Sequence, residues 1–295
     1  MKQKFIFLTG GAKRIGKTTC KHFHNEGFNI IFHYNSSESD ANEIKKTLNE
    51  IRKDSCFTLQ ADFDDESSIK KLTQGLSEIT DELSVLINNA SSFYPTPIED
   101  ASMDEWNNLM ATNATTPLFL TQALLPFLKK GKGCIINISD TLAPSGIKNF
   151  SLYSGAKSAL EGITKSLAKE LAPDIRVNAI SPGAILWPED EDLSDDQQKQ
   201  RLTKVPLGRI GCPEDISSLA VFLSEAEYIT GQVIKVDGGR SINWIIFFFY
   251  HFYIYLIIEL WGMNCTRLTK ILELWKFWRD INLMSLNFKI SCTKM

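Results

Sequence analysis

Tyr153 and Lys157 stand four residues apart in YSGAK, at the head of a stretch in which Leu160, Ile163, Leu167 and Leu171 recur at helical spacing. Residues at i and i+4 share a helix face, so the phenol and the ammonium face the same way. A neighbouring ammonium lowers a phenol's pKa and brings a proton donor nearer its working range at neutral pH. A YxxxK pair alone also arises by chance; here it gains weight by following a strand that ends in NISD. A second constellation is TGGAKRIG (Thr9 to Gly16), set between the apolar run KFIFL and a helical stretch. A tight turn feeding a helix N-terminus points unpaired N–H groups and the positive end of the helix dipole at one spot. Gly10, Lys13, Arg14, Ile15 and Gly16 therefore form a candidate anion site, and the two cations favour phosphate over carboxylate.

These residues need elements to position them. Near-continuous apolar runs at Lys4 to Leu8, Asn29 to Tyr34, Cys56 to Gln60, Leu83 to Asn89, Gly133 to Ser139, Ile175 to Ile180 and Gln232 to Asp237 read as strands covered on both faces. Helical patterns lie between them, near 15–25, 39–52, 67–79, 103–129, 151–171 and 213–224. Such alternation predicts an α/β fold with a doubly wound, Rossmann-like parallel sheet in one domain, its ligands at the carboxyl ends of the strands. The acidic stretch ILWPEDEDLSDDQQKQ (185–200) interrupts the alternation and reads as a long loop, either a lid over the crevice or a plain acidic surface.

At the end of the second strand, HYNSS (His33, Tyr34, Asn35, Ser36, Ser37) has no acid of the kind that holds the ribose hydroxyls of NAD. Hydroxyls and amides there accommodate a 2′-phosphate, which implies NADPH. In ADFD after the third strand, Asp62 beside Phe63 is a candidate acceptor for an adenine amino group, although acids also begin helices.

Composition narrows the function further. The chain has 295 residues, 43% of them hydrophobic and 23% charged, as in ordinary globular proteins. A net charge of −3 and no basic stripe in the first 240 residues argue against nucleic acid. Six cysteines without CxxC spacing favour free thiols in a cytoplasmic setting, and four histidines without HExxH argue against a protein-bound metal. Only five apolar residues precede the glycine loop, too few for a signal peptide.

TGxxxRxG, Asn88 to Ala90 (NNA), Asn113, YxxxK, NAISPG at 178–183 and the final DGG together resemble the short-chain dehydrogenase/reductase superfamily over residues 4–241. Most members carry a serine thirteen residues before the tyrosine, where this chain has Asp140. That aspartate, Arg14 in the first loop, NNASSFYPTP at 88–97, HYNSS and PGAILWP are similar to the bacterial pteridine reductases. The resemblance implies that Arg14 reaches the cofactor pyrophosphate and the substrate pocket, and Lys13 the phosphates of the adenosine half, the charges replacing close glycine packing by ion pairing. It implies that Asn89, Ala90, Pro182 and Gly183 line the nucleotide cleft, that Ser92 bonds phosphate or pterin, and that Phe93 stacks on the flat pterin. Tyr153 and Asp140 would handle protons, because reduction of C=N needs a proton at nitrogen as well as hydride at carbon. Lys157 would hold the nicotinamide ribose, and Asn113 would support a water relay to it.

The expected activity is NADPH-dependent reduction of a dihydropterin or dihydrofolate by a homotetramer. Its rivals are a carbonyl reductase of the 3-oxoacyl type and a non-catalytic, membrane-associated binder of nucleotide or pterin. Ser36 stands where some pteridine reductases carry arginine, a departure that bears on the NADPH over NADH preference.

From Trp244 the composition changes. WIIFFFYHFYIYLII is fifteen residues without charge, shorter than the roughly 20 that span a bilayer, and a basic stretch follows it. The reading divides the chain into a reductase domain, 1–243, and a tail, 244–295. The tail is an extension with no evolved role, an interfacial membrane segment or a partner-binding helix. Truncation after Asn243 is expected to raise solubility by removing an apolar run and to leave kcat within a few-fold. Purification of both forms with and without detergent, followed by assay at equal active-site concentration, checks this.

Overall fold

The computed structural model describes residues 3–242 apart from 66 and 187–193. The tail, and Trp187 to Leu193 of the acidic stretch, lie outside the described residues. The chain divides into two units, one comprising 1–191 with 207–241 and the other 192–206 with 242–295.

In the first unit all seven expected strands form: β1 (Phe5–Leu8), β2 (Asn29–Tyr34), β3 (Cys56–Gln60), β4 (Val85–Asn88), β5 (Cys134–Ile138), β6 (Arg176–Pro182) and β7 (Val233–Val236). They pair in parallel in the order β3-β2-β1-β4-β5-β6-β7. Strand order reverses between β1 and β4, the switch point at which a crevice opens outside the strand ends.

Side chains alternate between the faces of the sheet. Ile6 and Leu8 of β1, Ile30 and Phe32 of β2, and Val85 and Ile87 of β4 share one core with α1 (Arg14–Asn25), α2 (Glu38–Ile51) and α8 (Pro213–Glu225). Phe7, Ile31 and Leu86 point the other way, into a core with α3 (Ser68–Ser77), α5 (Thr116–Gly131) and α6 (Ser151–Glu170). Both faces are apolar because both are covered, and this is why the strands read as unbroken hydrophobic runs.

The helical stretch expected at 103–129 is not one regular α-helix. α4 (Met103–Met110) passes through a π-helical segment, Ala111–Thr115, into α5. Ser102 and Glu105 close a capping box at its start: the Ser102 hydroxyl accepts from the Glu105 N–H at 3.2 Å, and the Glu105 carboxylate from the Ser102 N–H at 2.8 Å. Apolar spacing does not report an i→i+5 turn, which leaves the helical period almost intact on either side. The loop expected at 185–200 is also corrected in part. In the second unit α7 (Asp195–Leu202) begins inside it, capped by Ser194 and Gln197, and its polar composition hid it from a reading based on apolar periodicity.

Phe23 of α1 is fully buried and meets Phe28 edge to face, ring centroids 5.2 Å apart. Phe23→Ala is expected to cost about 3–5 kcal/mol by loss of transfer energy and formation of a cavity. Urea unfolding followed by circular dichroism should show a lower midpoint with an unchanged slope.

Candidate active site

At the carboxyl end of β1 the chain turns through Gly10, φ +68°, into α1. A Cβ at Gly16 would come within 2.0 Å of the Gly10 carbonyl oxygen, so only glycine lets the helix start approach the turn this closely. This corrects the expectation that charges replace glycine packing: the close packing is kept, and the charges are additional to it. Lys13, exposed, pairs with Asp40 of α2 at 3.4 Å. Arg14 is exposed in a left-handed conformation, φ 48°, and has no ion-pair partner among the described residues. Ile15 packs against the core. The turn, the Arg14 guanidinium and the helix N-terminus together fit a dinucleotide's pyrophosphate.

Thr9, which the sequence reading passed over, holds the far side of the cleft. Its hydroxyl oxygen accepts from the Asn89 and Ala90 N–H groups at 3.0 Å each, and the Asn89 amide donates to the carbonyls of Thr9 and Gly10 at 2.9 Å.

His33 is buried, with both ring nitrogens engaged. Nδ1 accepts from the Gly10 N–H at 3.3 Å, while Nε2 lies 3.0 Å from the Ala61 carbonyl, a pairing that requires the Nε2–H tautomer. Phe63 stacks on the ring at 4.4 Å. Burial pushes the His33 pKa down to about 4 against the opposing effects of the Ala61 carbonyl and Asp62. His33 therefore acts on the cleft through Gly10. Tyr34 packs on the core, the Asn35 carbonyl accepts from Gln60, and Ser36 is exposed. Ser37 precedes α2 without making a side-chain cap. Asp62 accepts from the Asp64 N–H at 3.1 Å in its own turn.

At the end of β5 the Asp140 carboxylate divides its two oxygens. Oδ1 accepts from the Leu142 N–H at 2.7 Å, and Oδ2 from the Tyr153 hydroxyl at 3.1 Å. One carboxylate thus both caps the turn and meets the tyrosine. Lys157 is buried below them, its ammonium donating to the Ile138 carbonyl at 2.8 Å and lying 5.9 Å from the centre of the Tyr153 ring.

The expectation that Lys157 lowers the Tyr153 pKa is corrected. Burial, followed by the charge and hydrogen bond of Asp140, holds the phenol well above its usual range, against a smaller opposing effect of the Ser91 hydroxyl. Burial pushes Lys157 down to about 8, with Asp140 acting in the other direction. The sequence argument placed the ammonium beside the phenol but gave no measure of how dry the pair would be or of the nearer carboxylate.

Asn113, in the π-helical segment, is fully buried. Its Oδ1 accepts from Ser91 at 2.7 Å, and its Nδ2 donates to the carbonyls of Ser92 and Leu109 at 2.9 and 3.0 Å. The Ser92 hydroxyl meets Thr112 at 3.2 Å. Asn113 thus anchors the loop after β4 and, through Ser91, reaches Tyr153. Phe93, on the same loop, is 58% exposed. Its ring stands edge to face with Tyr153 at 4.8 Å and stacks on Phe150 at 4.5 Å. Neither Ser91 nor Phe150 was singled out in the sequence, although Phe150 lies three residues before Tyr153, a helical-face spacing. Pro182 and Gly183 close the β6 end, where the Pro182 carbonyl accepts from the Thr141 N–H and the Gly183 N–H donates to the Val236 carbonyl.

The Lys157 shift has a measurable consequence. Between pH 8 and its ordinary 10.5 the unfolded chain holds a proton on this residue that the folded protein lacks, so stability rises with pH across that range. Lys157→Met should remove this rise, visible between pH 8 and 10 as a flatter stability curve than the parent's. Parallel curves would show that the lysine is not depressed.

Residues 10–241 match the family described as enoyl-(acyl carrier protein) reductase. The chain is 35% identical over 278 residues to pteridine reductase 1 of Leishmania tarentolae, covering 80% of this chain and 96% of that protein. It is 32% identical over 240 residues to a 3-oxoacyl-[acyl-carrier-protein] reductase of Staphylococcus aureus, covering 80% and 97%, and 31% identical over 242 residues to an uncharacterized oxidoreductase of Bacillus subtilis, covering 80% and 98%. With this match spanning the glycine turn, six of the seven strands and the Tyr153–Lys157 pair, the chain belongs to the short-chain dehydrogenase/reductase superfamily and is an oxidoreductase of the NAD(P)H-dependent kind.

Proposed function

We propose that the protein reduces a dihydropterin or dihydrofolate to the tetrahydro form with NADPH. The observation that carries the reading is Asp140 bonded to the Tyr153 hydroxyl at 3.1 Å, with the exposed Phe93 ring against the same tyrosine. A flat heterocycle suits an aromatic face, and the ring nitrogen of a C=N bond needs a proton donor within reach. The 35% identity to a pteridine reductase supports the same substrate class.

The cofactor is held in this proposal by the Gly10–Gly16 turn, Arg14, Asn89, Ala90 and the Gly183 backbone, with Lys157 on the nicotinamide ribose. The HYNSS turn has no acid of its own, which suits a 2′-phosphate on Ser36 and Ser37, with Lys13, paired to Asp40 of α2, as the candidate cation. When bound, NADPH supplies the hydride that goes to the carbon of the C=N bond. The proton that goes to nitrogen leaves the Asp140–Tyr153 pair. Tyr153, held protonated by its dry site and the adjacent carboxylate, stays a donor throughout the neutral range. Lys157, with its pKa near 8, is the group beneath the pair that holds its proton weakly, and Asn113 fixes the Ser91 hydroxyl beside Tyr153. One hydride and one proton enter the substrate per turnover, which balances a two-electron reduction.

Steady-state assays with dihydrobiopterin, dihydrofolate and an acetoacetyl thioester, each with NADPH and with NADH, separate the readings. The expected order is pterin or folate above thioester, and NADPH above NADH. Tyr153→Phe should lower pterin turnover by about 10² to 10⁴ with cofactor binding nearly intact, and Asp140→Ser should impair it without conferring ketone reduction. A thioester preferred by the unmodified protein would assign the 3-oxoacyl activity carried by the staphylococcal relative's name.

A further inference from the structure

We infer that Phe150 is a positioning residue for substrate: it fixes the plane of the Phe93 ring, so that a flat bicyclic substrate meets a surface already set at the right angle to Tyr153. The inference rests on the pterin reading above. An aromatic side chain on an exposed loop ordinarily samples several rotamers, and ordering it on binding costs affinity. Phe93 is not free to do so. Its ring lies nearly parallel to that of Phe150, interplanar angle 12° and centroids 4.5 Å apart, while its relation to Tyr153 is close to perpendicular at 77°. Stacking covers one face of Phe93, and with the residue 58% exposed the other face is the one left for a ligand.

The backbone reinforces the arrangement. The Thr96 N–H donates to the Asn149 carbonyl at 2.6 Å, and Thr96 and Phe150 form an isolated parallel bridge, which ties the 91–97 loop to the turn preceding α6. Asn149 enters that turn with φ 64°, and Phe150 is the N-cap of α6, three residues before Tyr153. The platform and the proton donor are thereby referred to the same helix end. Any rotation of Phe93 toward solvent breaks its stack on Phe150 and its edge contact with Tyr153 together.

Two measurements test this. Site-specific 4-fluorophenylalanine at position 93 reports the environment of that ring without any substrate: its ¹⁹F resonance should shift toward the solvent-exposed value in Phe150→Leu and stay near the parent position in Phe150→Tyr. In kinetics, Phe150→Leu should raise the KM for dihydropterin about three- to tenfold with a smaller change in kcat and none in the KM for NADPH, and Phe150→Tyr should restore it. An unchanged fluorine resonance in Phe150→Leu overturns the inference, as does a loss confined to kcat. Should the unmodified protein turn over no dihydropterin while the fluorine shift occurs, the pterin reading fails and the mechanical coupling of Phe150 to Phe93 stands.

Discussion

The site turns on how the Asp140 carboxylate is shared. One oxygen is spent on the Leu142 N–H and so fixes the carboxylate to the turn after β5; the other is thereby aimed at the Tyr153 hydroxyl. Because Asp140 is held by the backbone and Tyr153 by a buried helix face, neither can turn away from the other. The electrostatic result is a phenol that keeps its proton and an ammonium, Lys157, that holds its own weakly. A serine at 140 could accept the same hydrogen bond but would bring no charge, and the balance between phenol and ammonium would change accordingly.

Much of the architecture was legible. All seven strands follow from short apolar runs, since a sheet covered on both faces leaves no polar register to confuse the pattern. The crevice follows from the strand order and the glycine turn. Less legible were features that depend on exact hydrogen-bond geometry. The π-helical segment at Ala111–Thr115 has no signature in apolar spacing, yet it carries Asn113. α7 is polar up to its last residue, Leu202, so periodicity missed it. The His33 ring looked like a polar contact for a ligand, and the fold instead uses it to brace Gly10.

The candidate site divides along the same line. Tyr153 and Lys157 were identifiable from their types and spacing, and Asp140 and Phe93 from motifs that resemble a known family. Ser91, Thr9 and Phe150 were not, because serine, threonine and phenylalanine are common and their value lies in what they touch. Long-range contacts such as Asn113 to Ser91 and Phe93 to Phe150 join segments 22 and 57 residues apart, and nothing local in the chain announces them. The sign of the Tyr153 shift was likewise beyond a one-dimensional reading, since it depends on burial and on which charge is nearer.

The double engagement of His33 makes the nucleotide cleft sensitive to acid. Its Nδ1 accepts from Gly10 only while the ring is neutral, and protonation would turn that acceptor into a donor facing another N–H. Between the ordinary value of 6.5 and about 4 the folded protein resists taking up this proton while the unfolded chain accepts it, so folding weakens as pH falls through that interval. Below it the charged ring would push against the turn that leads from β1 into α1. Only acid strong enough to overcome that resistance, below about pH 4, costs the turn the hydrogen bond that braces its first glycine.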